Sequence, residues 1–577
     1  IANAIHQEFL KNPKNAHLKK QRMLMGSANI STIHSFCLEV IKGNIHHTDL
    51  PVDFSIISEV ENKTLTDMAL DTVLSRFYEN IDRLPSFKSL VLSHGSDKND
   101  KRLREIILRL LNFARSMAHP AKWLNNSALD YKCEKFEDSP WHSRLFAYAR
   151  EEIINIQEIY EEILILAEKN LPSDHPYAPF FTIEKGKVST IESAINENDY
   201  EKVRETFKNL IFETLPTKRT KEPLEATVQS NIKALRNLAK DLLGELASFF
   251  ASDSSLVLKQ LKENEPQIRT LKNIILMTMR AHKKMKRMAG YLDFNDLEHE
   301  LISLLEDENG APSSVAKALQ NKYKEILVDE YQDTNNAQDT IFSLVSRDNS
   351  NIFTVGDIKQ CIYKFRNAVP EIFAEKSKRY KVSDGGHLIK LSQNFRSRHN
   401  VLDFTNYVFS QIMTERSCGI EYGEEERLEF GATYYPPEEN PQSYIPEFNI
   451  VDGRTVEDNS TAEAFSVARR IKDLVTKEKL SITDPKTGEI RPVRYSDIVI
   501  LLRNAKSGGK IFEEILTENQ IPVYSEIGQS YLDTVEVQTV LSFLEIIDNP
   551  YQDIPLAAVL LMASWLVGGN APAPTAL

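Results

Sequence analysis

The run Ile326-Leu-Val-Asp-Glu-Tyr-Gln-Asp-Thr334 constrains this chain more than any other segment. Its first three residues are apolar without alternation, the pattern of a strand buried on both faces of a parallel sheet. The run ends directly on two carboxylates, Asp329 and Glu330. Ligands of open α/β sheets bind beyond the carboxyl ends of the strands, so both acids fall where a ligand would be held. Asp329 can hold Mg²⁺ directly or through water, because that ion takes oxygen ligands and keeps several waters. Glu330 beside it can accept a proton from an attacking water. By itself an Asp-Glu pair reads as a solvated acidic turn; the strand before it and the segments below argue for chemistry.

The surrounding pattern supports an α/β class. Apolar runs Ile352 to Val355 and Leu388 to Leu391 read as further strands, with helical patterns between them. A second region repeats the alternation. Phe448 to Val451, Ile498 to Leu502 and Val523 to Tyr524 read as strands, and Ala462 to Val475 and Ile511 to Leu516 as helices. The segments Tyr434 to Pro441 and Asp484 to Pro492 read as exposed loops. From about 60 to 285 the spacing is helical throughout, as in Leu65, Met68, Ala69, Val73 and Phe77, then Ile106, Ile107, Leu110 and Phe113, then Ile153, Ile156, Ile159 and Ile163. Asp293 is placed to cap a helix whose apolar face is Leu297, Leu301 and Leu304. Two parallel-sheet domains, the first with a large all-helical insertion, are therefore expected.

Composition narrows the class. The chain has 577 residues, 41% of them hydrophobic and 27% charged, as in an ordinary soluble protein of several domains. No apolar stretch is long and uncharged enough to span a bilayer, and no secretory signal opens the chain. Cys37, Cys133, Cys361 and Cys418 lie far apart and form no C-x-x-C pair, which argues against a disulfide framework or zinc site and for a cytoplasmic setting. The net charge of -13 argues against coating DNA non-specifically, though not against holding a strand in one groove. Ile1 falls inside a helical pattern (Ile1, Ile5, Phe9), and the tail Gly568 to Leu577 has no packing pattern. Both ends are expected to be cuts, the tail disordered or foreign.

Three more segments carry candidate chemistry. In Phe353-Thr-Val-Gly-Asp-Ile-Lys-Gln-Cys-Ile-Tyr-Lys-Phe-Arg366, Gly356 allows a tight exit from a strand and Gln360 can bridge a phosphate oxygen or the attacking water. Tyr363, Phe365 and Arg366 interleave rings with a cation, which suits single-stranded nucleic acid, although such rings alone read as core aromatics. In Leu391-Ser-Gln-Asn-Phe-Arg-Ser-Arg398, Arg396 can stabilise charge on a γ-phosphate and Phe395 can offer its face to a purine; the bland alternative is a basic surface loop. In Ser31-Thr-Ile-His-Ser-Phe-Cys37, Thr32 and His34 can meet a DNA backbone, although a lone histidine is more often structural.

LVDEYQDT, VGDIKQCIYKFRNA and LSQNFRSR, in this order, resemble motifs two, three and four of the UvrD/Rep/PcrA group of superfamily-one DNA helicases. Closer still is the resemblance to the AddA family, the helicase–nuclease subunits A of AddAB exonucleases, carried by STIHSFCLEVI, YLDFNDLEH, NFRSR, YSDIVILLR and DNPYQDIPLAAVL. It covers nearly the whole chain to Leu560. The resemblance implies ATP and Mg²⁺ as cofactors and DNA, as single strand and duplex end, as substrate. An AddB-like partner in a heterodimer is implied too, with no membrane involved. It implies that Asp329 binds Mg²⁺, Glu330 activates water, Gln360 senses the γ-phosphate, Arg396 contacts it and Phe395 stacks on adenine. Tyr363, Phe365 and Arg366 would grip the strand, and Thr32 and His34 would touch its backbone. The implied fold is α/β: two RecA-like P-loop NTPase domains. Expected boundaries are 1–55 and 286–395 for the first motor domain, 56–285 for the insertion, 396–548 for the second motor domain, and 549–577 for the start of a second insertion and a divergent tail. The chain contains no G-x-x-x-x-G-K-[ST] loop, so by itself it is expected to lack ATPase activity and act as a DNA- or partner-binding piece; a stand-alone UvrD-like helicase is the alternative for the parent.

Overall fold

Two strands far apart in sequence, β1 (Ser55–Ile56) and β2 (Tyr291–Leu292), pair in parallel, Ser55 opposite Tyr291 and Ile56 opposite Leu292. This pairing organises the first of two units, Ile1–Ile389 and Lys390–Leu577. The computed structural model describes residues 2–95, 99–216, 222–435, 444–452, 458–484, 487–525 and 534–567.

Between β1 and β2 the described chain is helix and turn. It leaves through the Glu59–Glu79 helix, whose start is fixed by a capping box between Ser58 and Glu61, and returns through the long Ser254–Met288 helix. One apolar cluster joins those two helices to Lys101–Arg115 through Leu70, Val73, Leu74, Ile107, Leu111 and Ile274. A second joins Pro140–Asn170, Tyr177–Asn196 and Pro223–Phe249 through Ile153, Ile156, Tyr160, Phe181 and Ile232. The isoleucine stripe of the Pro140–Asn170 helix is buried as its spacing predicts. Met68 and Phe113, placed on buried faces by spacing, are 51% and 38% exposed. The buried stripes run through Ala69, Leu70, Val73 and Leu74, and through Leu103, Ile107 and Leu111. Neighbouring helices choose which flank of a broad apolar face they cover.

β3 (Ile326–Val328) and β4 (Ile352–Thr354) form a second parallel pair, with Leu327 opposite Phe353. Ile326 packs onto a core of Ile41, Leu297, Leu301, Leu305, Ala337 and Ile341. Burial on both faces is not what the structure has: Leu327 is 70% and Phe353 50% exposed.

In the second unit, β5 (Gln393–Asn394) pairs in parallel with β6 (Glu429–Phe430). The helices Asn459–Lys472, continued by a π-turn at Asp473–Lys477, and Ala505–Glu518 pack through Ala464, Ala468, Ile471, Phe512, Ile515 and Leu516. The strands expected at 388–391, 448–451, 498–502 and 523–524 are absent. Ile498, Ile500 and Leu502 do pack on the helices, while Val499 and Leu501 stay 76% and 90% exposed. Burial alternates along the run, but a strand also needs a ladder partner, and among the described residues no strand pairs with it. Conversely, the expected loop at 484–492 ends in β8 (Ile490–Pro492), which pairs antiparallel with β7 (Ser481–Thr483). The tail Gly568 to Leu577 and Ile1 lie outside the described residues, as does most of the Pro-rich segment after Tyr435. Among the described residues no helix is long and apolar enough to cross a membrane.

Candidate functional site

β3 delivers Asp329 and Glu330 to the carboxyl edge of the parallel pair, both exposed. The Glu330 backbone N–H donates to Asp329 Oδ1 at 3.0 Å. Glu330 sits in the left-handed region at φ 50°, a conformation costing a non-glycine residue roughly 1–2 kcal/mol. The turn after it holds that geometry. Tyr331 N–H reaches across to the Val355 carbonyl at 2.9 Å, and Asp333 N–H returns to the Glu330 carbonyl at 3.0 Å.

Gln332 joins this turn to the one after β4. It is 1% exposed. Its Nε2 donates to Glu330 Oε2 at 2.7 Å, and its Oε1 accepts the Asp357 N–H at 3.0 Å. Asp357 Oδ2 in turn accepts from Gln360 Nε2 at 3.0 Å, and Lys359 pairs with its Oδ1 at 2.9 Å. Glu330, Gln332, Asp357 and Gln360 therefore form one hydrogen-bonded path across the ends of two adjacent strands. Gly356 makes room for it, since a Cβ there would lie 2.5 Å from Gln332 Oε1. Burial and the neighbouring Glu330 push the Asp333 carboxyl above its ordinary range. Beneath the path Tyr331 is 1% exposed, its hydroxyl bonded to Asp339 and Lys376. Burial, then Asp339, raises that hydroxyl well above a usual tyrosine.

No group of three or more His, Cys, Asp or Glu that could hold a metal exists among the described residues. Asp329 alone fits a Mg²⁺ ion that keeps its waters and takes phosphate oxygens, the mode that ion favours over an all-protein cage.

Tyr363, Phe365 and Arg366 follow Gln360 by a few residues. The rings lie 5.9 Å apart, and the Arg366 guanidinium sits 5.0 and 5.6 Å from their centroids. Phe365 is 76% exposed, which removes the alternative that it is a core aromatic. Asn367 closes the turn at φ 65°, a position asparagine tolerates better than most residues.

Thr32 and His34 open the Ile33–Gly43 helix. Thr32 is its N-cap, with Oγ1 accepting from Ser35 N–H at 3.3 Å. His34 Nε2 lies 3.2 Å from Glu298 Oε1, and the His34 ring lies 4.6 Å from that of Phe294. Phe395 and Arg396 belong to the second unit. There Asn394 Oδ1 accepts the N–H groups of Arg396 and Ser397, both at 2.9 Å, and Tyr435 donates to the Arg396 carbonyl at 2.7 Å. Phe395 is 60% exposed and Arg396 is exposed as well.

Glu298 and Phe294, which contact His34, were not singled out by sequence reasoning, and Gln332 entered it only as part of the extension beyond the two carboxylates. Phe294 and Glu298 are four apart at the start of one helix and so share a face.

The UvrD/REP helicase N-terminal domain family matches residues 2–381, and the UvrD-like helicase C-terminal domain family matches residues 389–570. Similar curated proteins are named as the A subunits of ATP-dependent helicase/nucleases. That of Clostridium acetobutylicum is 37% identical over 97% of this chain and 47% of its own length. That of Clostridium beijerinckii is 35% identical over 99% and 48%, and that of Listeria innocua 34% identical over 99% and 47%. The chain thus spans about half the length of the curated relatives it matches.

Proposed function

The chain belongs to the UvrD/REP helicase family, and on that premise we propose that it is the motor part of an ATP-dependent DNA helicase within a helicase–nuclease that unwinds and resects double-strand breaks for recombinational repair. The hydrogen-bonded path from Glu330 through Gln332 and Asp357 to Gln360 carries this reading. Phosphoryl transfer needs groups positioned beside each other more than it needs covalent chemistry, and this path ties the water-orienting carboxylate to a phosphate-sensing amide.

Asp329 would hold Mg²⁺, which neutralises charge on the phosphates when bound. Glu330 orients the attacking water and takes its proton, and Gln332 holds the Glu330 carboxylate in place. Gln360 reports the phosphate state to the loop that follows it, where Tyr363, Phe365 and Arg366 grip the strand. Thr32 and His34 meet the strand backbone. Arg396 stabilises the γ-phosphate and Phe395 stacks on adenine. The fold behind these roles is two RecA-like domains, the helical block entering the first between β1 and β2. A second chain of the AddB kind and a cytoplasmic place on DNA complete the reading.

The test is ATP hydrolysis stimulated by single-stranded DNA in the full-length protein. Glu330→Gln should lower turnover by roughly 10²–10⁴-fold, the usual weight of general-base catalysis, while ATP binding persists. Turnover at the wild-type rate would refute the role given to Glu330.

A further inference from the structure

Glu298 is 1% exposed, yet it belongs to no group the proposed hydrolysis uses. It stands on the Phe294–Leu305 helix, between the Ile33–Gly43 helix and the Asn336–Val345 helix. Its Oε1 meets His34 Nε2 at 3.2 Å and accepts from Gln338 Nε2 at 2.7 Å. Its Oε2 is buried with no hydrogen-bond partner among the described residues. The same helix covers the imidazole face with Phe294, so one helical face clamps the ring by an edge and a side. Cys37, one turn beyond His34, is pushed up to about 12 by burial and by the Glu298 charge.

We propose that Glu298 is a positioning residue that fixes the His34 imidazole for contact with a single-stranded DNA backbone. This role rests on the reading that His34 meets the strand. A carboxylate only accepts hydrogen bonds, so the proton on this edge of the ring must sit on Nε2. Nδ1 is then left to meet the strand at an angle set by Phe294, and since a phosphate oxygen only accepts hydrogen bonds, Nδ1 must carry a proton as well when it contacts one. The Gln338 bond anchors the carboxylate to the helix that begins just after Thr334. The His34 imidazole and the helix that follows the Asp329–Asp333 turn thereby share one buried anchor.

Binding of a fluorescein-labelled oligo-dT to the protein, read by anisotropy, tests this. Glu298→Met keeps the volume but removes the acceptor, and should weaken binding roughly three- to tenfold, about as much as His34→Ala. The double variant should bind no more weakly than either alone. Glu298→Gln, which still offers an Oε1 to both donors, should bind close to wild type. Wild-type binding by Glu298→Met beside a weakened His34→Ala would overturn the positioning role and leave the His34 contact intact. Wild-type binding by His34→Ala would overturn that contact and the proposal with it. Should Glu298→Met fail to fold, ¹⁵N-histidine NMR of the unsubstituted protein decides the matter, with His34→Ala assigning the signal. A protonated Nε2 is expected, and an unprotonated Nε2 overturns the proposal.

Discussion

Replacing Asp293 with asparagine removes one charge from a buried ionic cluster of the first unit. Arg115 Nη2 donates to both Asp293 oxygens at 2.6 Å, and Lys286 Nζ donates to Oδ2 at 2.6 Å. Lys286 also pairs with Asp296, and Arg115 Nη2 lies 3.6 Å from it. Arg115, Lys286, Asp293 and Asp296 are 8%, 1%, 5% and 8% exposed. Two cations thus balance two anions away from water, and the cluster ties the Lys101–Arg115 and Ser254–Met288 helices to the cap of Phe294–Leu305. Asp293 Oδ1 also caps that helix, accepting from Asp296 N–H at 2.9 Å. Asparagine caps as well as aspartate, so Asp293→Asn keeps the cap while removing the charge and the Oδ2 acceptor of Arg115 and Lys286. Breaking one partner of a buried pair costs about 3–5 kcal/mol. Asp296 remains as counter-ion, which places the expected cost near the lower bound, about 3 kcal/mol. Asp293→Ala also loses the cap and should cost about 1 kcal/mol more. The chain has two units, so a single global unfolding energy is not the right measure. Native-state hydrogen exchange of peptides from Ser254–Met288 and Phe294–Leu305 reads the cost locally. A loss of about 3 kcal/mol is roughly 150-fold faster exchange by the same opening. Burial opposes ionisation of Asp293, but Arg115 and Lys286 outweigh it and hold the carboxyl far below the carboxylate range. Its stabilisation is present above the ordinary aspartate value near 3.9 and is lost only below it, so the Asn deficit should be flat from about pH 8 to 5. Exchange less than about threefold faster, or a deficit that vanishes at pH 6, would refute the account.

His282 should make the helical block acid-sensitive: burial, then Lys286 and Arg115, hold it down at about 3, so the unfolded chain takes up its proton first as pH falls below about 6.5. Relative to His282→Gln, the wild-type helices Glu59–Glu79 and Ser254–Met288 should lose about 2 kcal/mol more between pH 7.5 and 5, and equal pH slopes in hydrogen exchange would contradict this. Gly356→Ala should displace Gln332 and lower DNA-stimulated ATP turnover of the full-length protein about tenfold, the effect of losing roughly 1.4 kcal/mol of positioning, with wild-type turnover as the contrary result. Phe365→Ala should weaken oligo-dT binding by about 1–3 kcal/mol in an anisotropy titration while leaving thermal unfolding unchanged, because a largely exposed ring adds little to the core.

What the sequence determined by itself is what neighbouring residues decide. The strand Ile326–Val328 with its two terminal carboxylates, the cap at Asp293 and the buried stripe of Pro140–Asn170 all follow from spacing within a few residues. The relative order of the motifs also carried the family. Sequence did not decide which apolar runs become strands: Ile498 to Leu502 is a continuous apolar run of strand-like composition, but a ladder requires a second chain segment at the right distance. Nor did it show which distant residues hold the site. His34 meets Glu298, Arg115 meets Asp293 and Gln332 meets Asp357 because the chain leaves at β1, returns at β2 and lays β3 beside β4. Such pairs depend on side chains brought together across long loops, and only closing those loops in three dimensions makes a buried glutamate next to a histidine an anchor rather than an isolated charge.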